Sequence, residues 1–157
     1  MKKIDKDGLL LCELQAAAFE NSIDKMDSSS EIFIRRFMRS KIAKNLDNES
    51  VLECNIQAND ILQLVDEEYG VTDYGSVKYT HNEMYWIGYL YRYFAFTYEL
   101  SSAQVYKIVK PKELRAVSYT HLMEAKGMIL DENRELERQY EIFKKIRRQT
   151  TKRGRAH

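Results

Sequence analysis

A run of aromatic and aliphatic residues between Glu83 and Leu100, EMYWIGYLYRYFAFTYEL, constrains the fold of this chain more than any other stretch. Between Tyr85 and Tyr98, eight of the fourteen residues are aromatic, and Arg92 is the only charged one. Read as a helix, this run has no polar side, so it must be buried in a core, inserted in a membrane or held at an interface. Because Arg92, the tyrosines and the polar flanks do not suit a membrane span, we expect a central core helix.

The tyrosines of this helix also predict a contact surface. A buried tyrosine ring usually needs a hydrogen-bond partner for its hydroxyl, which favours the edge of a core or an interface. The other predicted helices carry one-sided apolar stripes, too few to cover two faces rich in tyrosine. The tyrosines predicted to bind a partner are Tyr89, Tyr91, Tyr93 and Tyr98.

Length and composition predict one all-α domain. A chain of 157 residues buries roughly 70% of its unfolded surface and needs no disulfide or metal to support its core. Pro111 is the only proline, and no stretch alternates in the manner of a β-strand. We therefore expect a compact bundle of about six to seven helices over residues 1–149, followed by a disordered basic tail at 150–157.

Helix boundaries follow from capping residues and apolar spacing. The predicted helices span about 8–25, 31–46, 59–69, 83–100 and 102–110, with a short helix from Pro111 and a last one over 132–149. Their predicted N-terminal caps are Asp7, Ser28 with Glu31, Thr80 with Glu83, Ser101 with Gln104, and Asp131. In the first helix, Leu10 is predicted to share the apolar face with Leu11. Gly70 is expected to end the third helix, and residues 70–79 to form a loop.

The chain start and the two cysteines indicate a cytoplasmic protein. The basic opening residues lead into Asp5, Lys6 and Asp7 before any apolar run, so we expect no signal peptide and no transmembrane segment. Cys12 and Cys54 are far apart and do not form a metal-ligand pair. We expect both to be free, buried thiols.

Charge is segregated along the chain although the net charge is only +1. Eight acids and no Lys or Arg lie between Asp47 and Asp73, whereas Lys144 to Arg155 holds seven bases. The predicted second helix carries five bases beside its apolar stripe: Arg35, Arg36, Arg39, Lys41 and Lys44. Such rows can contact nucleic-acid phosphates or an acidic partner, or they can be a solvated helix face.

No constellation of residues predicts catalysis. The three histidines, His81, His121 and His157, do not pair with one another or with a cysteine at metal-ligand spacing. The motifs of phosphate-binding loops, serine hydrolases and zinc proteases are absent from the sequence. We expect no enzymatic activity, no catalytic residue, no metal and no cofactor.

Three stretches resemble a known bacterial family. They read SSEIFIRRFMRSKIAKNLD, EEYG and YGSVKYTHNEMYWIGYLYRYFAFTYELSSAQVYKIVKPKELR. The family is encoded beside genes for ADP-ribosyltransferase-like toxins and is taken to be part of toxin–antitoxin modules. The resemblance covers residues 7–115 and 124–148, but this chain departs from the family at SYTHLMEAKG. It transfers no site residues.

The resemblance implies a non-enzymatic protein that pairs with a toxin and also contacts operator DNA. Our leading hypothesis is therefore an antitoxin or accessory protein that occludes the toxin with its exposed aromatic edge and its basic helix. The alternative is a DNA-binding regulator that uses the basic helix. Either hypothesis is compatible with a homo-oligomer.

Overall fold

Helices form every regular element that the computed structural model describes, which is residues 2–116, 141–142 and 144–149. The elements are α1 (Lys6–Lys25), α2 (Ser30–Met38), α3 (Lys41–Asp47), a 3-10 turn (Ser50–Glu53), α4 (Ala58–Tyr69), α5 (His81–Thr97), α6 (Ser102–Ile108) and α7 (111–116). Residues 141–142 and 144–149 are also helical. The predicted all-α bundle is confirmed.

The aromatic helix α5 packs antiparallel to α1 along its length. Gln15 donates its Nε2–H to the carbonyl of Gly88 at 2.9 Å, and His81 lies 2.9 Å from Asp24 at the other end of the pair. Gly88 permits this close approach, because an added Cβ would lie 2.7 Å from Cγ of Phe19. The helix predicted to be central is therefore in direct backbone contact with its main neighbour.

Most of α5 lies in the core, and ten of its residues are buried. Met84, Ile87 and Tyr91 of α5 are fully buried. They join a single cluster that includes Phe19 of α1 and Phe33 of α2, whose rings meet edge to face at 5.3 Å. Edge-to-face packing matches the positive edge of one ring to the negative face of the other. The aromatic residues thus hold several helices to one core.

Two of the predicted capping boxes are confirmed. Thr80 with Glu83 opens α5, and Ser101 with Gln104 opens α6. In each, the hydroxyl and the carboxylate or amide satisfy two backbone N–H groups that the first turn leaves without partners. Gly70 ends α4 with φ of 83°, as expected.

Two other predicted caps are wrong by one or two residues. α1 begins earlier, because Asp5 rather than Asp7 accepts the N–H of Gly8 at 2.8 Å. α2 is capped by Ser29 rather than Ser28. Glu31 does not complete a capping box there, and instead accepts the hydroxyl of Tyr79 at 2.7 Å. Adjacent polar residues offer equivalent acceptors, and tertiary contacts decide which one is used.

The single helix predicted over residues 31–46 is two helices. Ser40, which is fully buried, donates its hydroxyl to the carbonyl of Phe37 and accepts the N–H of Ala43 at 3.1 Å. It therefore ends α2 and opens α3. The N–H of Lys41 is taken by Glu68 of α4 at 2.8 Å. The break was not predicted, because the helical spacing of apolar residues continues across Ser40.

Two burial predictions are also wrong. Leu10 is 48% exposed, because the core takes the side of α1 that carries Leu11 and Phe19. Cys12 and Cys54 are both free, but only Cys12 is buried. Among the described residues, no helix combines the length and apolar character needed to cross a bilayer.

The remaining predictions about the C-terminal part fall largely outside the described residues. These are the cap at Asp131, the stretch 118–127 and the tail at 150–157. The helical residues 141–142 and 144–149 agree with the predicted last helix, and Ile142 and Ile146 are buried in the main core cluster.

Candidate functional site

Tyr91, one of the four tyrosines predicted to bind a partner, is part of the core. Its side chain is fully buried, and its hydroxyl donates to the carbonyl of Val109 at 2.7 Å. Burial raises the pKa of this hydroxyl well above its usual range. Because α5 turns Tyr91 toward Val109, this tyrosine is not exposed to a partner in the structure.

Tyr89 and Tyr93 lie on a half-buried strip of α5 that also holds Tyr85. The rings of Tyr85 and Tyr89 stack with their centroids 6.5 Å apart, and the rings of Trp86 and Tyr89 lie edge to face with centroids 5.5 Å apart. Burial raises the pKa of Tyr85 and Tyr89, and nearby Glu13 of α1 raises it further. This strip therefore runs beside the Glu13 side of α1 and stays accessible at its rim.

Tyr98 lies apart from this strip. It is half-buried and contacts Phe94 at 6.5 Å. Burial raises the pKa of its hydroxyl, while the charge of Arg147 opposes that effect. Tyr98 thus faces the C-terminal helical residues, and the four predicted tyrosines do not form one surface.

The five predicted basic residues are divided by the break at Ser40. Arg35 and Arg39 are exposed on α2 and its C-cap, whereas Lys41 and Lys44 are exposed on α3. The five residues therefore do not lie on the one continuous helix that the sequence predicted.

Two of these arginines are engaged with tyrosine rings. Arg36 donates to the carbonyl of Gly70 at 2.7 Å, with its guanidinium 5.6 Å from the Tyr69 ring. Arg39 lies 5.7 Å from the centre of the Tyr106 ring, and Lys110 lies 4.9 Å from the same ring. Two cations from different parts of the chain therefore lie over the Tyr106 ring, an arrangement that the sequence did not suggest.

A loop between α4 and α5 presents the most exposed large apolar side chains in the described part of the chain. Val71, Tyr74 and Val77 are 75%, 72% and 63% exposed. From the sequence, this segment is predicted only as a loop. The available signal was the presence of valines and a tyrosine among turn residues, where polar side chains are the norm.

This loop is fixed to the start of α2 and the end of α1. The N–H groups of Ser29 and Ser30 donate to the carbonyls of Tyr74 and Val77, each at 3.0 Å. Lys78 donates its ammonium to the carbonyls of Ile23 and Met26, two of the acceptors that the end of α1 leaves open. The loop thus holds its apolar side chains outward on a tethered backbone.

Gly75 makes this attachment possible. Its φ is 78°, a left-handed conformation that side chains other than glycine adopt at a cost. A Cβ at this position would also lie 2.6 Å from the hydroxyl oxygen of Ser29. Any larger residue would therefore move the loop away from α2.

A groove of about 440 Å³ adjoins the loop. Met26 and Leu62, both buried core residues, lie at its base, and Val71 forms the loop side. Asp66 and Glu67 of α4 and Lys25 of α1 are its charged residues. Partial burial raises the pKa of Asp66, with Arg36 opposing the effect.

A buried polar network crosses the core behind these surfaces. Arg92 donates to Gln15 at 2.9 Å, to Asp47 at 2.6 Å and to Ser102 at 2.7 Å. Asp47 also accepts the N–H and hydroxyl of Ser102. Each side chain is matched with partners, so the network joins α1, α3, α5 and α6 and presents no unpaired reactive group.

The histidines do not assemble a reactive or metal-binding site in the described residues. His81 is exposed and pairs with Asp24, while His121 and His157 lie outside the described residues. Within residues 2–116, 141–142 and 144–149, no three potential ligands are grouped to hold a metal ion.

Comparisons with known proteins add no relative to this picture. No protein-family model, no curated protein and no solved structure matches the chain.

Proposed function

We propose that this chain is a non-enzymatic protein-binding module, the antitoxin or accessory component of a bacterial toxin–antitoxin module. The observation that carries the binding role is the tethered loop with Val71, Tyr74 and Val77 exposed. The toxin as partner follows from the family that the sequence resembles.

The loop has the properties of a binding surface. Tyrosine and apolar side chains dominate the energetics of protein interfaces when a partner excludes water from them. The hydrogen bonds to Ser29 and Ser30 fix the backbone before binding, so less conformational entropy is lost in the complex. In this mechanism the loop occludes a surface that the toxin needs for activity.

Co-expression with the product of the adjacent gene tests this function. We expect a complex that survives purification, and we expect Tyr74→Ala to weaken it about 30-fold, the typical effect of losing an aromatic anchor. Tyr74 contributes a backbone carbonyl to the loop attachment, which the substitution keeps. The free chain should therefore remain folded.

Two further variants separate the alternatives. Leu52→Ala removes a side chain that is 40% exposed in the 3-10 turn and should not affect the complex. Tyr89→Ala combined with Tyr93→Ala tests the α5 strip that the sequence predicted. Separate elution of the two proteins at micromolar concentration would contradict the function, and a loss confined to the α5 variant would move the interface there.

A second candidate function is contact with the phosphates of operator DNA, favoured by the pair of cations on Tyr106. Within the described residues, neither Arg39 nor Lys110 has a carboxylate within ion-pair distance of its charged group. Exposed Arg35 lies one helical turn before Arg39 and can extend the same basic surface.

Salt-dependent binding to the chain's own promoter fragment tests this candidate. Arg35→Ala with Arg39→Ala should weaken binding and lower the salt slope by about 2, since each lost phosphate contact removes nearly one. Lys3→Ala with Lys6→Ala removes the same charge from exposed positions elsewhere and should have little effect. Unchanged binding by the arginine variant would exclude this use of the surface.

A further inference from the structure

The groove beside the exposed loop combines an apolar base with an acidic rim. Met26 and Leu62 supply the base, and Val71 supplies one wall. Asp66 and Glu67 stand on the α4 side. A volume of about 440 Å³ is large enough to receive a long side chain together with part of its backbone.

The two carboxylates retain capacity for a partner. Glu67 accepts the side-chain amide of Gln63 at 3.1 Å, which leaves further acceptor positions on its oxygens. Within the described residues, the carboxylate of Asp66 forms no ion pair at 4 Å or closer. Both groups can therefore accept new hydrogen bonds from a cation.

The lining of the groove is acidic in balance, because the carboxylates of Asp66 and Glu67 face one ammonium, that of Lys25. Arg36 lies outside this lining, and its charge opposes the rise in the pKa of Asp66 that partial burial causes. Arg36, however, directs Nη1 to the carbonyl of Gly70 and stacks on Tyr69. The surrounding segment, residues 47–73, carries eight acids and no Lys or Arg.

These features fit one kind of side chain. Arginine and lysine bury their aliphatic stems on apolar surface while the charged head stays at a polar rim. Here the stem would lie on Met26 and Leu62, and the head would reach Asp66 and Glu67. An acidic partner would be repelled by the same carboxylates, and an apolar one would remove water from the carboxylates without supplying a hydrogen-bond donor.

We propose that the groove receives an arginine or lysine side chain, flanked by apolar residues, from the protein segment that docks on the loop. The inference rests on the proposed function in that the same partner contacts Val71, Tyr74 and Val77. It adds the chemistry of the partner: a basic segment with apolar neighbours. The groove fixes the register of that segment relative to the loop.

The test uses the isolated full chain and the blocked peptide acetyl-Leu-Arg-Leu-amide. At constant ionic strength and up to about 10 mM peptide, saturable ¹H–¹⁵N shifts are expected at residues 62–67 and at Val71. The same peptide with citrulline, which keeps the shape without the charge, should bind about five-fold more weakly.

Asp66→Asn with Glu67→Gln should produce the same five-fold loss while leaving the thermal midpoint unchanged. The matched control, Glu53→Gln with Glu141→Gln, removes two exposed acids that do not line the groove and should leave binding unchanged. Equal binding of the citrulline peptide, unaltered binding by the Asp66/Glu67 variant, or no saturable shift would overturn the proposal.

The peptide test of the groove and the co-purification test of the proposed function can fail independently of each other. The peptide experiment requires no toxin, so peptide binding without a co-purifying complex would refute the toxin partner and keep the groove. A stable complex that the Asp66/Glu67 variant leaves intact, together with failed peptide binding, would refute the groove and keep the function.

Discussion

Arg92 is the residue whose position most affects the interpretation of this chain. It is the only charge within the aromatic run from Tyr85 to Tyr98, yet it is 2% exposed and pairs with Asp47. Such a group cannot serve as a contact for DNA or a toxin. Its role is to connect α5 to α1, α3 and α6 through matched hydrogen bonds.

Arg92→Met should lower the free energy of unfolding by about 3 kcal/mol. The substitution leaves Asp47 mostly buried without its cation, and an uncompensated buried charge is costly even when the new side chain packs well. Urea denaturation measures the change. Arg35→Met, at an exposed position, should stay within about 0.5 kcal/mol of the parent, and similar losses in both variants would contradict the role of the network.

Glu83 should make stability depend on pH. Burial favours its protonated form, but hydrogen bonds from Arg115 and Thr80 outweigh burial and hold the pKa below its ordinary 4.5. A lowered folded-state pKa gives stability that is complete above the unfolded pKa and is lost as pH falls through the folded pKa.

Comparison with Glu83→Gln measures this contribution. The parent should be more stable than the variant by about 1 kcal/mol near neutral pH, and the difference should shrink as the pH falls below 4.5 and through the lowered pKa of Glu83. Glu53→Gln, at an exposed acid, should show no such convergence. A difference that persists at low pH would show that Glu83 acts through packing rather than charge.

At the scale of elements, the contact between α1 and α5 depends on Gly88. Glycine lowers helix stability in isolation, so its presence within α5 needs a packing reason. Phe19 and the carbonyl of Gln15 occupy the space where a Cβ would lie, at 2.7 Å and 2.9 Å. The loss in helix propensity is offset by the close approach of two buried faces.

Gly88→Ala should therefore destabilise the fold by about 1–3 kcal/mol, although alanine is the better helix former. The cost arises because Phe19 or the α1 backbone must move to admit the methyl group. Thermal unfolding measures the effect. Ala103→Gly, at a half-buried position of α6, provides a contrast in which no neighbour must move to admit a methyl group. A stabilised Gly88→Ala variant would show that α1 and α5 can separate without penalty.

At the scale of the whole molecule, the two cysteines report on the integrity of the core. Cys54 is exposed, while burial raises the pKa of the Cys12 thiol to about 12 despite the opposing charge of Arg92. The thiolate is the reactive form, so both access and ionisation protect Cys12.

The native chain should therefore react with Ellman's reagent at one thiol, and the chain in concentrated urea at two. Cys54→Ser should remove the rapid reaction and leave only slow labelling of Cys12, limited by opening of the core. Rapid reaction of two thiols in the native chain would mean that the α1 side of the core is open.

Much of this fold can be predicted from local sequence features alone. The capping boxes at Thr80 and Ser101, the stop at Gly70 and the lack of strand patterning fixed several helices, because each depends on residues a few positions apart. The apolar run from Glu83 to Leu100 also identified the central helix, since no helix apolar on all sides can face water.

Only the tertiary structure decided which side chains are exposed. Periodicity placed Tyr89, Tyr91, Tyr93 and Tyr98 on one helix but could not assign its sides, and packing buried Tyr91. Next to the helix boundary at Ser40, the N–H of Lys41 is bonded by Glu68 of α4, and Val71, Tyr74 and Val77 are held outward by bonds from the loop backbone to Ser29 and Ser30. Helix formation depends on near neighbours in sequence, whereas exposure depends on distant segments that pack against each side chain.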